Sequence, residues 1–189
     1  FVYADVNAPA NVDVVGSRDT DGNLGAGSLE VFIDGFNNSA FSDAQGQWSK
    51  TITFTEDLSD VQINFSYRHF HANQNDNGED SISYYFLDGA LTTLTTALGS
   101  GGTTDTGWLD VTIDVGSVTN GQSIVIDLGL YHSGSSRANE DAFVRFDDFS
   151  VVGQQADILT AGNTTTDADN SSVNIVNGDA GNDTIYGSS

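Results

Sequence analysis

The stretches LDVTIDV (Leu109–Val115) and IVIDLGL (Ile124–Leu130) place an apolar side chain at every second position. A strand that alternates in this way has one buried and one solvated face, so both stretches predict half-buried β-strands. The turn Asn120-Gly121 lies between them, and an Asn-Gly pair between two alternating runs favours a reversal of the chain. The pattern of these two strands sets the expectation for the rest of the chain.

Further β-strands are predicted on both sides of this pair, and no window shows a helical period. They cover residues 29–33, 48–54, 61–67, 81–87 and 143–152, with turn residues such as Asp34-Gly35 and Asp88-Gly89 between them. Short strands at regular spacing favour an all-β fold, an antiparallel jelly-roll-like β-sandwich. We expect one ligand-binding module over residues 1–153, a linker or irregular coils over 154–176, and a separate tail over 177–189.

The tail contains GDAGNDTIYG (Gly178–Gly187), which matches the calcium-binding nonapeptide G-G-x-G-x-D-x-U-x except at Asp179. In such a repeat, glycines permit tight turns and carboxylates such as Asp183 supply hard oxygen ligands to Ca²⁺. An ordinary Gly-Asn-Asp turn is the alternative. A single copy cannot close the thin core between stacked coils, so we expect the first coil of a longer β-roll array.

The tail resembles the repeats of bacterial RTX proteins, which are secreted by the type I pathway and fold in external calcium. This resemblance implies an extracellular, cell-surface fragment of a larger protein. The order of strands from Ala26 to Val152, ending in FDDFSV (Phe146–Val151), resembles the jelly-roll sandwiches of carbohydrate-binding modules and of ligand-binding modules in RTX adhesins. Those modules imply a monomeric binding domain in a longer chain that takes part in cell adhesion and biofilm formation.

The net charge of the chain limits the classes of partner that it is expected to bind. The 189 residues include 27 acidic and 5 basic residues, for a formal net charge of -22, and they contain no cysteine. Such a charge argues against nucleic acid and anionic membranes as partners. Divalent cations bound between carboxylates would relieve the repulsion and stiffen a fold without disulfides, so Ca²⁺ is the expected cofactor. A solvated acidic surface is the alternative.

Two acidic clusters are candidate calcium sites. The first has oxygen ligands at alternate positions around Gly22, as at the start of an EF-hand loop, and consists of Asp19, Asp21, Asn23 and Glu30. The second is the pair Asp147 and Asp148, where the apolar parity changes inside a predicted strand and indicates a β-bulge. The sandwich resemblance implies that this pair joins the first cluster around a structural calcium. Surface turns and a solvated strand edge are the alternatives.

Two loops form the candidate ligand site. Residues 68–80 and 132–141 each follow a strand that ends in an aromatic residue, and each ends in Glu-Asp, so their loops meet if the hairpins share an orientation. The candidate calcium ligands in them are Asn75, Asp76, Glu79, Asp80, Glu140 and Asp141. The candidate ligand-contacting residues are Tyr67, Arg68, His69, His71, Tyr131, His132 and Arg137. Core or rim packing of Tyr67 and Tyr131, and internal ion pairs of the arginines with Glu79, Glu140 or Asp141, are the alternatives.

The sequence favours binding over catalysis. No nucleophile motif or phosphate loop is present, nothing separates an acid from a base among the carboxylates, and we expect no enzyme. A transition-metal site on the histidines is a minor alternative. The main prediction is calcium-assisted capture of a peptide through its terminal carboxylate, by an arginine and the cation. Calcium-dependent carbohydrate binding is the first alternative, and a structural spacer is the second.

Overall fold

Strands dominate the protein, as a computed structural model shows. The structure describes residues 1–10, 12–24, 26–35, 41–74, 80–97, 102–135, 140–155, 158–160 and 184–186. The strands are β1 (Val2–Asn7), β2 (Val14–Asp21), β3 (Ala26–Ile33), β4 (Phe41–Thr53), β5 (Leu58–Gln74), β6 (Ser81–Leu87), β7 (Ala90–Ala97), β8 (Gly102–Asp105), β9 (Leu109–Val118), β10 (Ser123–Ser135), β11 (Ala142–Gln155), β12 (Ile158–Thr160) and β13 (Thr184–Tyr186). No helix among the described residues is long and apolar enough to span a membrane.

Two antiparallel sheets form the sandwich. Sheet A has five strands in the order β1-β4-β10-β6-β7, and sheet B has six, in the order β2-β3-β11-β5-β8 with β9 paired to β5. The predicted fold class, an all-β antiparallel β-sandwich, is therefore confirmed. Each strand predicted from alternation is present, because apolar residues at period two can be buried together only on one face of a sheet.

The larger of two compact units comprises Phe1–Thr53, Asn64–Thr112 and Ser123–Ser150. Its core is formed by the inward-facing residues of both sheets, which are almost wholly buried: Val31, Ile33, Phe65, Ile126, Leu128, Leu130, Val144 and Phe146. The indole nitrogen of Trp48 on β4 donates to the carbonyl oxygen of Glu30 on β3 at 2.9 Å. This bond joins the sheets and satisfies a donor that burial would otherwise leave unpaired.

The smaller unit comprises Phe54–Ile63, Ile113–Gln122 and Val151–Ser189. Its buried apolar residues are Phe54, Val61, Ile63, Ile113 and Val118. The backbone of Phe54 closes this cluster, because it donates to the carbonyl of Gln122 at 2.9 Å and accepts from the amide of Gly121 at 2.8 Å. Gly121 has a φ of 82°, which agrees with the turn predicted at Asn120-Gly121.

Two predicted loops are partly strand. β5 continues to Gln74 and β10 to Ser135, so His69, His71 and His132 lie on regular strands and alternate with their neighbours across the sheet. The extension follows from cross-strand pairing, since His132 pairs with both Ala44 and Ser81. The sequence prediction ended these strands too early because polar and histidine residues weaken the apolar alternation.

The predicted bulge in β11 agrees with the backbone. Asp148 has a φ of 54°, in the left-handed region that non-glycine residues rarely adopt. Further along, β12 and β13 pair in parallel, with Leu159 opposite Ile185. The carboxylates proposed for the nonapeptide, Asp179 and Asp183, lie outside the described residues, so the RTX repeat and the boundaries at 154 and 177 stay predictions.

Candidate functional site

The first predicted calcium cluster surrounds an arginine. Asp19 and Asp21 on β2 and Glu30 on β3 point to the outer face of sheet B, where Arg145 from β11 contacts all three carboxylates. Its Nε, Nη1 and Nη2 atoms lie 2.7, 2.7 and 3.1 Å from oxygens of Glu30, Asp21 and Asp19, respectively. The residues form a β-hairpin with Asp19 opposite Ser28, rather than a loop that wraps around an ion. A guanidinium occupies the position that the sequence analysis gave to Ca²⁺.

Arg68, a predicted ligand contact, belongs to the same outer face. It forms a two-pronged ion pair with Asp105 of β8, with Nε–Oδ1 and Nη2–Oδ2 distances of 3.0 and 2.7 Å, and it also contacts Asp21 at 3.3 Å. The hydrogen bond from Arg68 lowers the pKa of Asp105 below its usual value. Arg68 therefore forms internal ion pairs, as the alternative expected, but with Asp105 and Asp21 instead of Glu79, Glu140 or Asp141. Arg137 lies outside the described residues.

The second predicted cluster joins the first hairpin as the sandwich resemblance implied. The amide nitrogen of Asn23 donates to Asp147 at 2.8 Å, and its side chain donates to Asp148 at 3.0 Å. The hydroxyl of Ser66 donates to Asp110 at 2.7 Å and accepts from Asn23 at 3.1 Å. Within the described part of the chain, no three His, Asp or Glu side chains are arranged to hold a metal ion. A calcium ion at these residues therefore stays a prediction.

The three histidines occupy the interior of the larger unit. All are completely buried, on inward-facing positions of β5 and β10. Nε2 of His69 and Nδ1 of His71 share the hydroxyl of Ser81, at 2.8 and 2.9 Å, and the His71 ring packs edge-on against His132 with centroids 4.7 Å apart. This placement corrects the sequence analysis, which put the histidines on a ligand-facing surface.

Burial keeps these imidazoles neutral. Desolvation is the main cause that lowers the pKa of His69 and of His132 to about 4, and that of His71 to about 3. Neighbouring histidines lower the pKa of His69 and His71 further. Tyr67, another predicted ligand contact, is also buried, and its hydroxyl bonds with that of Thr95 at 2.9 Å. Core packing therefore describes Tyr67 and the histidines better than ligand contact.

The bases of the two candidate loops do meet. The amide of Ala72 donates to the carbonyl of Asp141, and the amide of Ser133 donates to the carbonyl of Asp80, each at 2.8 Å. The carboxylate of Asp141 also accepts from the amide of Gly35 at 3.0 Å. The loop tips predicted as calcium ligands, Asn75, Asp76 and Glu79, lie outside the described residues. Their convergence with Asp80, Glu140 and Asp141 around an ion stays a prediction.

Tyr131 lies on the opposite surface, the outer face of sheet A. This face carries a cross-strand row of Gln47, Gly129, Tyr84 and Thr93, flanked by the row Gln45, Tyr131 and Ile82 and by the row Asp127, Phe86 and Leu91. A Cβ atom on Gly129 would lie 2.3 Å from the Tyr84 ring. The missing side chain at Gly129 therefore makes room for the Tyr84 ring, which is almost wholly buried.

A pocket of about 170 Å³ opens on this face. It is lined by Gln45, Ile82, Tyr84, Phe86, Leu91, Thr93 and Tyr131. The hydroxyl of Tyr84 accepts from Gln45 at 2.6 Å and donates to Gln47 at 3.3 Å, while the hydroxyl of Tyr131 donates to the carboxylate of Asp43. The bond to Asp43 is the main cause that raises the pKa of Tyr131 to about 12. Both phenols are therefore neutral, and an aromatic pocket with amide groups at its edge results.

The sequence analysis missed most of this pocket. Tyr84 and Phe86 were assigned to a predicted strand, and their parity opposite to the buried Ser81 and Ser83 is a signal that could have identified them. Small polar residues on the inner side of a strand, with aromatic rings on the outer side, reverse the usual pattern. The reversal is confined to the first part of β6, because Tyr85 on its inner side packs edge-on against the buried Phe65.

No protein-family model and no curated protein sequence matches this chain. Several solved structures are similar to it, with low TM-scores and low sequence identities. Among them are TmCBM61 in complex with beta-1,4-galactotriose (13% identity, TM-score 0.40, 77% of this chain and 90% of that one), the mannan-recognising module TmCBM27 (11%, 0.38, 79% and 86%), and CBM35 of Abf62 from Cellvibrio japonicus (19%, 0.34, 82% and 95%). The ligands in these names are those of the other proteins.

Proposed function

We propose that this protein is a carbohydrate-binding module and that the outer face of sheet A holds the sugar. The observation that carries the proposal is the pocket in which the half-buried rings of Phe86 and Tyr131 lie beside the buried Tyr84, with Gln45 and Gln47 next to them. The C–H faces of a sugar ring pack on aromatic rings, and amides can both donate to and accept from its hydroxyls. This pairing of groups suits a sugar better than an apolar ligand.

The amides are held in place for such a role. Both are anchored on the Tyr84 hydroxyl, Gln45 through its nitrogen and Gln47 through its oxygen. The side-chain oxygen of Gln45 can then accept a hydrogen bond from a sugar hydroxyl, and the side-chain NH₂ group of Gln47 can donate one. Because β4 and β6 fix these side chains before a ligand arrives, little rotamer entropy is lost on binding.

Capture of a peptide carboxylate has weaker support. It requires an arginine that is open to the ligand. Arg68 and Arg145 are engaged with carboxylates of sheet B, and Arg137 lies outside the described residues. The repulsion between a carboxylate ligand and this acidic chain adds to that difficulty. We therefore place carbohydrate binding first, and peptide capture or a spacer role becomes an outcome of the test.

The test is a screen of the protein against immobilised neutral polysaccharides and against peptides with free or amidated C-termini. We expect retention by at least one polysaccharide and by no peptide. Binding that requires a free peptide C-terminus would replace the proposal with carboxylate capture, and retention by neither library would leave the spacer role.

Calcium dependence and an extracellular, adhesin setting are separate proposals, supported by the nonapeptide match and the net charge of -22. Calcium dependence is tested by comparing thermal unfolding in excess Ca²⁺ with thermal unfolding in the presence of a chelator. A bound ion raises the melting temperature through its preference for the folded state. An identical transition in both buffers would show that this chain folds without calcium.

A further inference from the structure

The pocket on sheet A is small and mostly apolar. Its volume of about 170 Å³ is below the ~300–1,000 Å³ of pockets for whole drug-sized ligands. It is also several times the ~30 Å³ share of a water molecule. The pocket therefore fits one ring or one substituent of a sugar, while the rest of a chain would lie outside along the sheet.

The two tyrosine hydroxyls in the pocket wall are already engaged, and the lining as a whole is mostly apolar. Tyr84 bonds with both glutamines and Tyr131 bonds with Asp43, while Ile82, Phe86 and Leu91 contribute apolar surface. A hydroxyl group that entered between these side chains would give up its water partners for apolar neighbours, which is costly. A methyl group would gain from the same burial.

The charges around the pocket disfavour an anion. Asp43 accepts from Tyr131, and Asp127 lies directly opposite Phe86 across β10 and β6. None of the basic residues in the described ranges lines the pocket. A carboxylate or sulfate on the sugar would therefore meet negative potential without a cation to pair with.

We infer that the pocket takes the C6 methyl group of a neutral 6-deoxy sugar. This inference rests on the proposed function and adds the class of sugar to it. The pocket would select at C6 in the order methyl, hydroxymethyl, carboxylate, because the groups differ there in polarity and charge while the ring stays the same.

The experiment compares methyl glycosides that differ only at C6: 6-deoxy, 6-hydroxy and 6-carboxylate, in the gluco, galacto and manno series. NMR titration follows the methyl signals of Ile82 and Leu91. We expect a 6-deoxy glycoside to shift both signals and to bind at least about tenfold tighter than its 6-hydroxy partner, with no binding of the carboxylate. Equal or tighter binding of the hydroxyl or carboxylate form, or unmoved methyl signals in all three series, would overturn the inference.

A variant inside the pocket and a matched control outside it test whether the preference for the methyl form depends on the pocket. Leu91 is 59% exposed and Val125, outside the pocket on the same face of sheet A, is 37% exposed. Leu91→Ser should reduce the preference for the methyl form to about twofold or less, and Val125→Ser should leave it unchanged. Equal effects of the two substitutions would contradict the assignment.

These outcomes are distinct from a failure of the proposed function. If polysaccharides are retained in the screen but the C6 series shows no preference for methyl, carbohydrate binding stands and the inference about the pocket is wrong. If no polysaccharide is retained and no glycoside moves the signals of Ile82 and Leu91, the proposed function fails together with the inference.

Discussion

The outer faces of the two sheets use polar groups in opposite ways. On sheet B, Arg68 and Arg145 are surrounded by carboxylates that they neutralise, and the guanidinium of Arg145 lies 4.5 Å from the centre of the Phe143 ring. On sheet A, Tyr84 and Tyr131 anchor neighbouring side chains around an open pocket. The predicted ligand contact Arg68 and the predicted calcium ligand Glu30 are engaged in ion pairs. Tyr84 and Phe86, which the sequence analysis treated only as strand residues, line the pocket of sheet A.

Because the two faces differ in this way, we expect mutations on them to change different properties of the protein. Changes in the polar groups on the outer face of sheet B, and in the buried histidines of β5 and β10, should alter the stability of the fold. Changes in the pocket of sheet A should alter ligand binding.

Acidification should destabilise the protein through its histidines. Their pKa values fall from about 6.5 when unfolded to about 4, 3 and 4 for His69, His71 and His132. The unfolded chain therefore binds more protons below pH ~6.5, and stability that is complete above that pH is lost as pH falls toward ~4. Each histidine contributes a slope of about 1.4 kcal/mol per pH unit.

Denaturant unfolding between pH 7.5 and 4.5 measures this slope. His71→Gln serves as the control, because a neutral amide cannot titrate and the slope should fall by about one third whatever the substitution does to stability at pH 7.5. A free energy of unfolding that is flat over this range would show that the histidines are not buried in solution.

Arg145→Met should cost about 3 kcal/mol of stability, since it leaves three carboxylates close together without their shared cation. Arg68→Met is the matched control, because its ion pair with Asp105 is more exposed and pairs of that kind contribute about 1 kcal/mol or less. Chemical denaturation reports both values. Equal losses of stability would mean that the cluster around Arg145 has no special role. A loss of sugar binding in either variant would show that sheet B also contributes to binding, against the separation of roles.

Gly129→Ala should reduce stability by about 2 kcal/mol and also impair binding. The added methyl group would lie 2.3 Å from the Tyr84 ring and 2.8 Å from the carbonyl oxygen of Gly46, so the ring must move away from β10. Gly153→Ala, whose new Cβ atom would meet the Val61 side chain at 2.9 Å, is a control outside this face. It should affect stability and leave sugar binding intact, whereas normal binding by Gly129→Ala would remove Tyr84 from the site.

The strands could be predicted from the sequence because burial imposes a period of two. The segments around Val115 and Ile126 show that period plainly. The change in apolar parity beside Asp148 predicts an irregularity where the backbone has a φ of 54°. The partners of charged residues could not be predicted in the same way. Arg145 meets Asp19 and Glu30 only because β3 lies between β2 and β11, and strand order is not encoded in local alternation.

The histidines illustrate a second limit. Their sequence spacing places His69 and His71 on one side of β5, as the sequence analysis stated, but it does not say whether that side faces solvent or the core. Ser81 supplies the shared hydrogen-bonding partner that makes their burial tolerable, and it comes from β6. A polar residue can therefore look like a ligand contact until its partner is located on another strand.

The most direct test of the account compares two phenylalanines on opposite faces. Phe86 lines the pocket of sheet A, and Phe70 stacks on Phe143 of sheet B at 4.9 Å between ring centroids. Calorimetric titration of Phe86→Ala and Phe70→Ala with the polysaccharide retained in the screen measures the contribution of each face to binding. We expect at least about tenfold weaker binding for Phe86→Ala and unchanged binding for Phe70→Ala. The opposite result, with binding lost only in Phe70→Ala, would move the ligand site to sheet B.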